Sequence, residues 1–183
     1  MKNKIIIATV SWLMVVIAIT SLWAYAEYQD SYAEPHEAVL AEDSELLLIP
    51  AYKLGDELLS FFIKNNSNLG AVYAHKGLFG WKSGMLTWGP IDPDRDFDRL
   101  EGYQGHGGTL IYGLINNAEE LEVKVDDHKA TILNLEALSP KVVNEYQLED
   151  VSLWYFEKDP KSTYNQILLV DESTDEVVQT VDL

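Results

Sequence analysis

Asp92, Asp94, Asp96 and Asp98 place four carboxylates at alternate positions around Pro93, Arg95 and Phe97. Alternating oxygen ligands open a calcium loop, but an EF-hand needs glycine at loop position 6 and a bidentate glutamate at position 12. Phe97 and Tyr103 stand there instead, so the calcium reading fails. The same residues suit a short helix. Asp92 serves as N-cap, Pro93 takes the first helical position, the acids meet the positive end of the helix dipole, and Gly102 lies just beyond the end. Phe97 and Leu100 would then face inward.

Gly102-Tyr103-Gln104-Gly105-His106-Gly107-Gly108 is the most glycine-dense stretch. A phosphate loop follows a strand, opens a helix and carries G-x-G-x-x-G or a Walker lysine. This stretch precedes a strand and has no lysine. Its glycines either supply positive φ or let backbone approach a ligand, with His106 as a polar contact. The connection Gly89–Gly108 is long, and long connections in compact domains are often functional. Trp81, Trp88, Tyr103 and His106 are therefore the candidate ligand-binding residues, although aromatic residues of a β domain also serve as core. No catalytic residue is assigned. His36, His75, His106 and His128 lack metal-ligand spacing. G-x-S-x-G and H-E-x-x-H are absent. The sequence has no cysteine, which excludes disulfides, thiolate metal sites and a cysteine nucleophile. No metal and no cofactor is expected.

The elements that must carry these residues begin with an anchor. After Lys2 and Lys4 the chain runs uncharged from Ile5 to Ala26, 22 residues without proline or glycine. As a helix this run spans about 33 Å, against a bilayer core about 30 Å thick. Trp23, Tyr25 and Tyr28 mark its exit, as interfacial aromatics do. Lysines precede it and Glu27, Asp30, Glu34 and Glu37 follow it, so the N-terminus stays cytoplasmic and the rest is extracytoplasmic. The alternative is secretion after cleavage near Ala26, since Ala24-Tyr25-Ala26 has the small-x-small pattern. The apolar run is longer than a signal core, which favours residues 1–26 as an uncleaved anchor.

Residues 27–44 carry six acids and no base and read as an acidic stalk with a short helix, His36–Ala41. With Lys2 and Lys4 set aside, 11 basic residues face 30 acidic ones in residues 27–183, a net charge of −19. Such a surface repels nucleic acid and anionic lipid headgroups, so no nucleic-acid partner is expected. Solubility explains the charge more simply than an acidic binding patch does.

Residues 45–183 read as one β-rich domain. The strand-like runs are Leu46–Tyr52, Glu57–Lys64, Leu69–His75, Phe79–Trp88, Thr109–Ile115, Leu121–Val125, Ala130–Leu135, Val151–Phe156, Ile167–Val170 and Val177–Val181. Thr109–Ile115 is nearly all apolar and should lie centrally. Ser139 and Pro140 open a short helix to Tyr146. The fold class expected is mainly β: an antiparallel β-sandwich or bent antiparallel sheet with short helices, plus the N-terminal transmembrane helix.

Ile111-Tyr112-Gly113-Leu114-Ile115, Leu121-Glu122-Val123-Lys124-Val125, Ala130-Thr131-Ile132 and Leu153-Trp154-Tyr155-Phe156, with Phe79-Gly80-Trp81-Lys82 before them, resemble a module of small membrane-anchored extracytoplasmic proteins of Gram-positive bacteria. The resemblance implies location and fold and transfers no catalytic residue. The function expected is a membrane-tethered binding or accessory domain of the cell envelope. Its partners would be membrane lipid through the helix and an envelope protein, peptide or wall component. The alternatives are an envelope hydrolase using carboxylates and His106, and a structural subunit of a membrane complex.

Overall fold

The computed structural model describes residues 2–65, 67–91, 98–100, 103–116, 118–146 and 148–183. The architecture is mainly antiparallel β, with three sheets, few short helices and one N-terminal apolar helix. The chain forms two compact units, residues 1–60 with 72–86 and residues 61–71 with 87–183.

The first unit opens with α1 (Lys2–Gln29). Its stretch Ser11–Gln29 is long and apolar enough to cross a membrane, and none of it is buried. The acidic segment after it bends into α2 (Pro35–Glu42). Glu34 starts that helix with a capping box, its carboxylate and that of Glu37 satisfying reciprocal backbone N–H groups. Ala38 and Val39 of α2 are fully buried. The β pattern then begins with β1 (Leu47–Leu54), β2 (Glu57–Lys64) and β3 (Asn68–Lys76).

One sheet runs β1-β2-β3-β4, with β5 also on β3. The apolar run Phe79–Trp88, expected as a single strand, is instead two: β4 (Trp81–Ser83) and β5 (Thr87–Pro90). β4 pairs with the end of β3 around His75 and β5 pairs with its beginning around Gly70. Between them the Gly84 N–H donates to the Tyr73 carbonyl at 2.7 Å, and Met85 points into solvent. One partner strand is thus served by two short ones, a break that an uninterrupted apolar run does not signal.

The second unit contains a sandwich. One sheet, in the order β10-β11-β7-β6, is formed by β6 (Gln104–His106), β7 (Leu110–Asn116), β10 (Thr131–Asn134) and β11 (Val151–Glu157). The other, in the order β13-β12-β8-β9, is formed by β8 (Leu121–Val125), β9 (His128–Lys129), β12 (Gln166–Asp171) and β13 (Val177–Asp182). Ile111, Ile115 and Trp154 from the first meet Val123, Val125, Ile167 and Leu169 from the second in one buried cluster. β7 lies between β11 and β6 and is buried through its first six residues, as its unbroken apolar sequence requires.

The run after the Asp126-Asp127 turn changes sheets. His128 and Lys129 pair with β8, the Ala130 N–H still reaches the Val123 carbonyl, and Thr131 onward pairs with β11. This corner joins the two layers. A 3-10 turn (Leu135–Ala137) and α3 (Pro140–Tyr146) follow. The β12–β13 hairpin is closed by Asp171, whose carboxylate accepts from the Ser173 hydroxyl and from the Ser173 and Thr174 N–H groups at 2.6 to 2.9 Å. Those bonds, the Ser173 hydroxyl first, hold its pKa below the usual carboxylate range.

Gly70 tests the packing of the second unit. A Cβ there would lie 2.6 Å from the Thr87 carbonyl oxygen and would also collide with the Phe62 ring. Phe62 is fully buried and has little room to retreat. Gly70→Ala should therefore destabilise the protein by about 1–3 kcal/mol, the usual cost of overpacking. Urea denaturation of the full chain in detergent measures it; a midpoint equal to that of the parent would show that the strand pair is looser than described.

Candidate functional site

Three strands of the second unit converge on a polar seam. β5 supplies Thr87, β6 supplies Gln104 and His106, and β7 supplies Tyr112. β6 is antiparallel to β7, with Gln104 opposite Tyr112 and His106 opposite Leu110. The Tyr112 hydroxyl donates to the Gln104 side-chain carbonyl at 2.9 Å. Thr87 Oγ1 and His106 Nδ1 share a hydrogen bond. Gln104 lies over Gly89, where a Cβ would sit 3.0 Å from its amide nitrogen. Burial pushes the Tyr112 phenol up to about 12, against a smaller opposing effect of a hydrogen bond to Thr87. Burial likewise lowers the pKa of His106, so its imidazole is neutral near pH 7.

The four candidate residues occupy different environments. Trp81 is 2% exposed and belongs to the first unit, where its backbone exchanges hydrogen bonds with Tyr32 at 2.8 and 2.9 Å. Tyr103 packs, partly buried, against the sandwich cluster. His106 is 7% exposed. Trp88 alone of the four is strongly exposed, at 50%, and the Lys64 ammonium stands 4.4 Å above its ring. Within the second unit the structure therefore gathers His106 with Thr87, Gln104 and Tyr112 into a shielded seam, and leaves Trp88 with Lys64 as the accessible pair. The four acids at 92–98 lie outside the described residues apart from Asp98. Leu100, expected to face inward, is 3% exposed, and its N–H donates to the Gln179 side chain at 2.8 Å.

A hydroxyl bonded to a neutral imidazole is the contact that activates a nucleophile in hydrolases. Here both groups bond across two adjacent strands, and the imidazole is largely enclosed. The arrangement locks β5 to β6 at the cost of desolvating a histidine.

A second feature had no sequence signal beyond overall charge. A half-open cavity of about 280 Å³ is lined by Ala118, Glu119, Glu120, Ile132, Asn134, Glu136, Asp150 and Ser152. One adjoining hollow shares Glu136 and Asp150 and adds Glu149. Another shares Glu119 and Glu120 and adds Asp171 and Glu172. Seven carboxylates thus edge a trough of three adjoining hollows, with no basic residue among its described lining residues. Ser152, only 5% exposed, lies on the cavity wall. Among the described residues no group of three or more histidines and carboxylates is placed to hold a metal ion. A low-dielectric concavity of one sign concentrates ions of the opposite sign, so the trough attracts ammonium or guanidinium groups.

No protein-family model matches the chain, and neither a curated protein nor a solved structure matches it.

The lowered His106 pKa fixes the sign of a pH effect. The folded state resists protonation that the unfolded chain accepts from its ordinary value of 6.5. More protons are then bound in the unfolded state, so stability falls as pH drops below about 6.5. His106→Asn keeps a polar side chain but removes the titration. Denaturation midpoints at pH 7 and pH 5 should fall less for this variant than for the parent; an equal fall would mean that His106 titrates as in the unfolded chain.

Proposed function

We propose that this chain is a membrane-tethered domain of the bacterial cell envelope that binds a partner there, either a protein, a peptide or a wall component. The observation that carries the reading is the helix over Ser11–Gln29, which has no distinct polar face and no buried residue. A globular helix hides one face and wets the other, whereas a helix apolar all round needs lipid or protein around it. The lysines before it and the acids after it favour a cytoplasmic N-terminus. The β-rich remainder then lies outside, with Trp88, Lys64 and the acidic trough as its accessible chemical features. The resemblance to small extracytoplasmic proteins of Gram-positive bacteria supports the same location.

The second reading is an envelope hydrolase, favoured by the Thr87–His106 contact. Enclosure of the imidazole weighs against it, because a general base must reach substrate.

In-cell photocrosslinking separates binding from its absence. Crosslinking residues replace Trp88, at the exposed aromatic pair, and Glu136, in the trough, with Thr163 as an exposed control. One of the first two positions should yield a discrete adduct that Thr163 does not. Equal, diffuse crosslinking at all three, with expression unchanged, would contradict the binding reading.

A further inference from the structure

The turn between β3 and β4 carries an apolar tip for which the fold has no use. Gly77, Leu78, Phe79 and Gly80 form it, closed by the Gly77 N–H donating to the Gly80 carbonyl at 2.7 Å. Leu78 is 83% exposed and Phe79 is 41% exposed. Hairpin tips in water usually carry Asn, Asp, Gly or Ser, which satisfy turn geometry and remain hydrated. An adjacent leucine and phenylalanine at such a tip leave apolar surface in water that packing within this unit does not remove.

The position of the tip supplies the reason. The Phe79 ring meets Tyr28, in the last turn of α1, edge to face at 6.2 Å. The Lys82 ammonium pairs with Glu27 at 2.8 Å. Tyr32 and Trp81 exchange two backbone hydrogen bonds. Gly80, with φ of +150°, brings its Cα so close to the Tyr32 carbonyl that a Cβ would lie 2.5 Å from it. Three contacts and one close approach therefore clamp the hairpin to the end of α1 and the residues just beyond it. That end displays Tyr25 and Tyr28, both exposed, where interfacial aromatics belong. Phe79 continues that apolar surface, and Leu78 stands exposed beside it in the turn. Lys76, exposed, flanks the tip in a chain where bases are scarce and suits a layer of phosphate headgroups, while Lys82 on the other side is held by Glu27.

We propose that Leu78 and Phe79 insert into the interfacial layer of the bilayer, making the hairpin a second membrane contact beside α1. The inference rests on the reading of α1 as a membrane helix. It adds that the first unit is held down on the lipid surface and does not swing freely on a stalk. The ligand class is phospholipid: acyl-chain edge for the two apolar side chains and headgroup phosphate for Lys76.

The absence of native cysteine allows a clean test. The full chain is reconstituted in phosphatidylglycerol–phosphatidylcholine vesicles with a single cysteine carrying an environment-sensitive fluorophore, at Leu78→Cys, Ile17→Cys or Ser173→Cys. Lipids with a quencher near the headgroup should remove most of the emission at Leu78 and little at Ser173, while deep quenchers should act on Ile17. If Ile17 is quenched and Leu78 is quenched no more than Ser173, the hairpin inference is overturned and the helix reading survives. If Ile17 is not quenched, the helix reading fails and takes the inference with it.

Discussion

Apolar surface left in water costs about 25 cal/mol per Å², and α1 presents such surface on all sides from Trp12 to Tyr28. None of the described residues of that stretch is buried, and only its last turn meets the β3–β4 hairpin. The other features of the first unit are arranged around this constraint. Glu27, Tyr28 and Tyr32, at or just past the end of the helix, each contact the β3–β4 hairpin, so the geometry of the exit from the helix is fixed. α2 then buries Ala38 and Val39 directly after that exit. In the proposed membrane setting, these contacts determine how the first unit stands on the lipid.

The second unit depends on a different interaction, the packing of Trp154 into the sandwich. Trp154 is fully buried, and Tyr112, two strands away from β10, is too. The Phe61 ring meets those of Tyr112 and Tyr155 at a tilt of 52°, with centroids 5.1 and 5.4 Å away. Aromatic contacts of this kind add roughly 0.5–1.5 kcal/mol beyond burial. Around this core Tyr112 is paired with Gln104 and His106 with Thr87, whereas the Trp154 indole nitrogen itself is enclosed without a hydrogen-bond partner. The seam is thus explained as the polar lining of a tightly packed edge. The acidic trough remains open because its carboxylates sit on turns and strand ends, where water solvates them.

Much of the strand pattern was legible in the sequence because it follows local periodicity. Glu57–Lys64, Leu121–Val125, Pro140–Tyr146 and the final hairpin fall where apolar alternation, proline and turn residues put them. Features decided by partners elsewhere in the chain were not legible. Ala130 looks like the start of a strand, yet it marks the corner at which the chain leaves β8 for β11. The split at Gly84 depends on the Tyr73 carbonyl, eleven residues earlier. Trp81 is buried and Trp88 half exposed: the chain around Tyr32 and α2 packs against β4, which neither tryptophan's neighbours in sequence signal. Glu119, Glu136 and Asp150 come from three separate connections and meet only through the sandwich topology. The glycine-dense loop stands out by composition, but its delivery of His106 to Thr87 follows from the pairing of β6 with β7.

The central claim is that α1 crosses the membrane with its N-terminus inside and the β units outside. Single cysteines at Asn3 and Ser173, probed with a membrane-impermeant thiol reagent on intact wall-stripped cells and again after permeabilisation, test it directly. The account predicts that Ser173→Cys is labelled on intact cells and Asn3→Cys only after permeabilisation. Labelling of Asn3→Cys alone on intact cells, or of neither before permeabilisation, would contradict it.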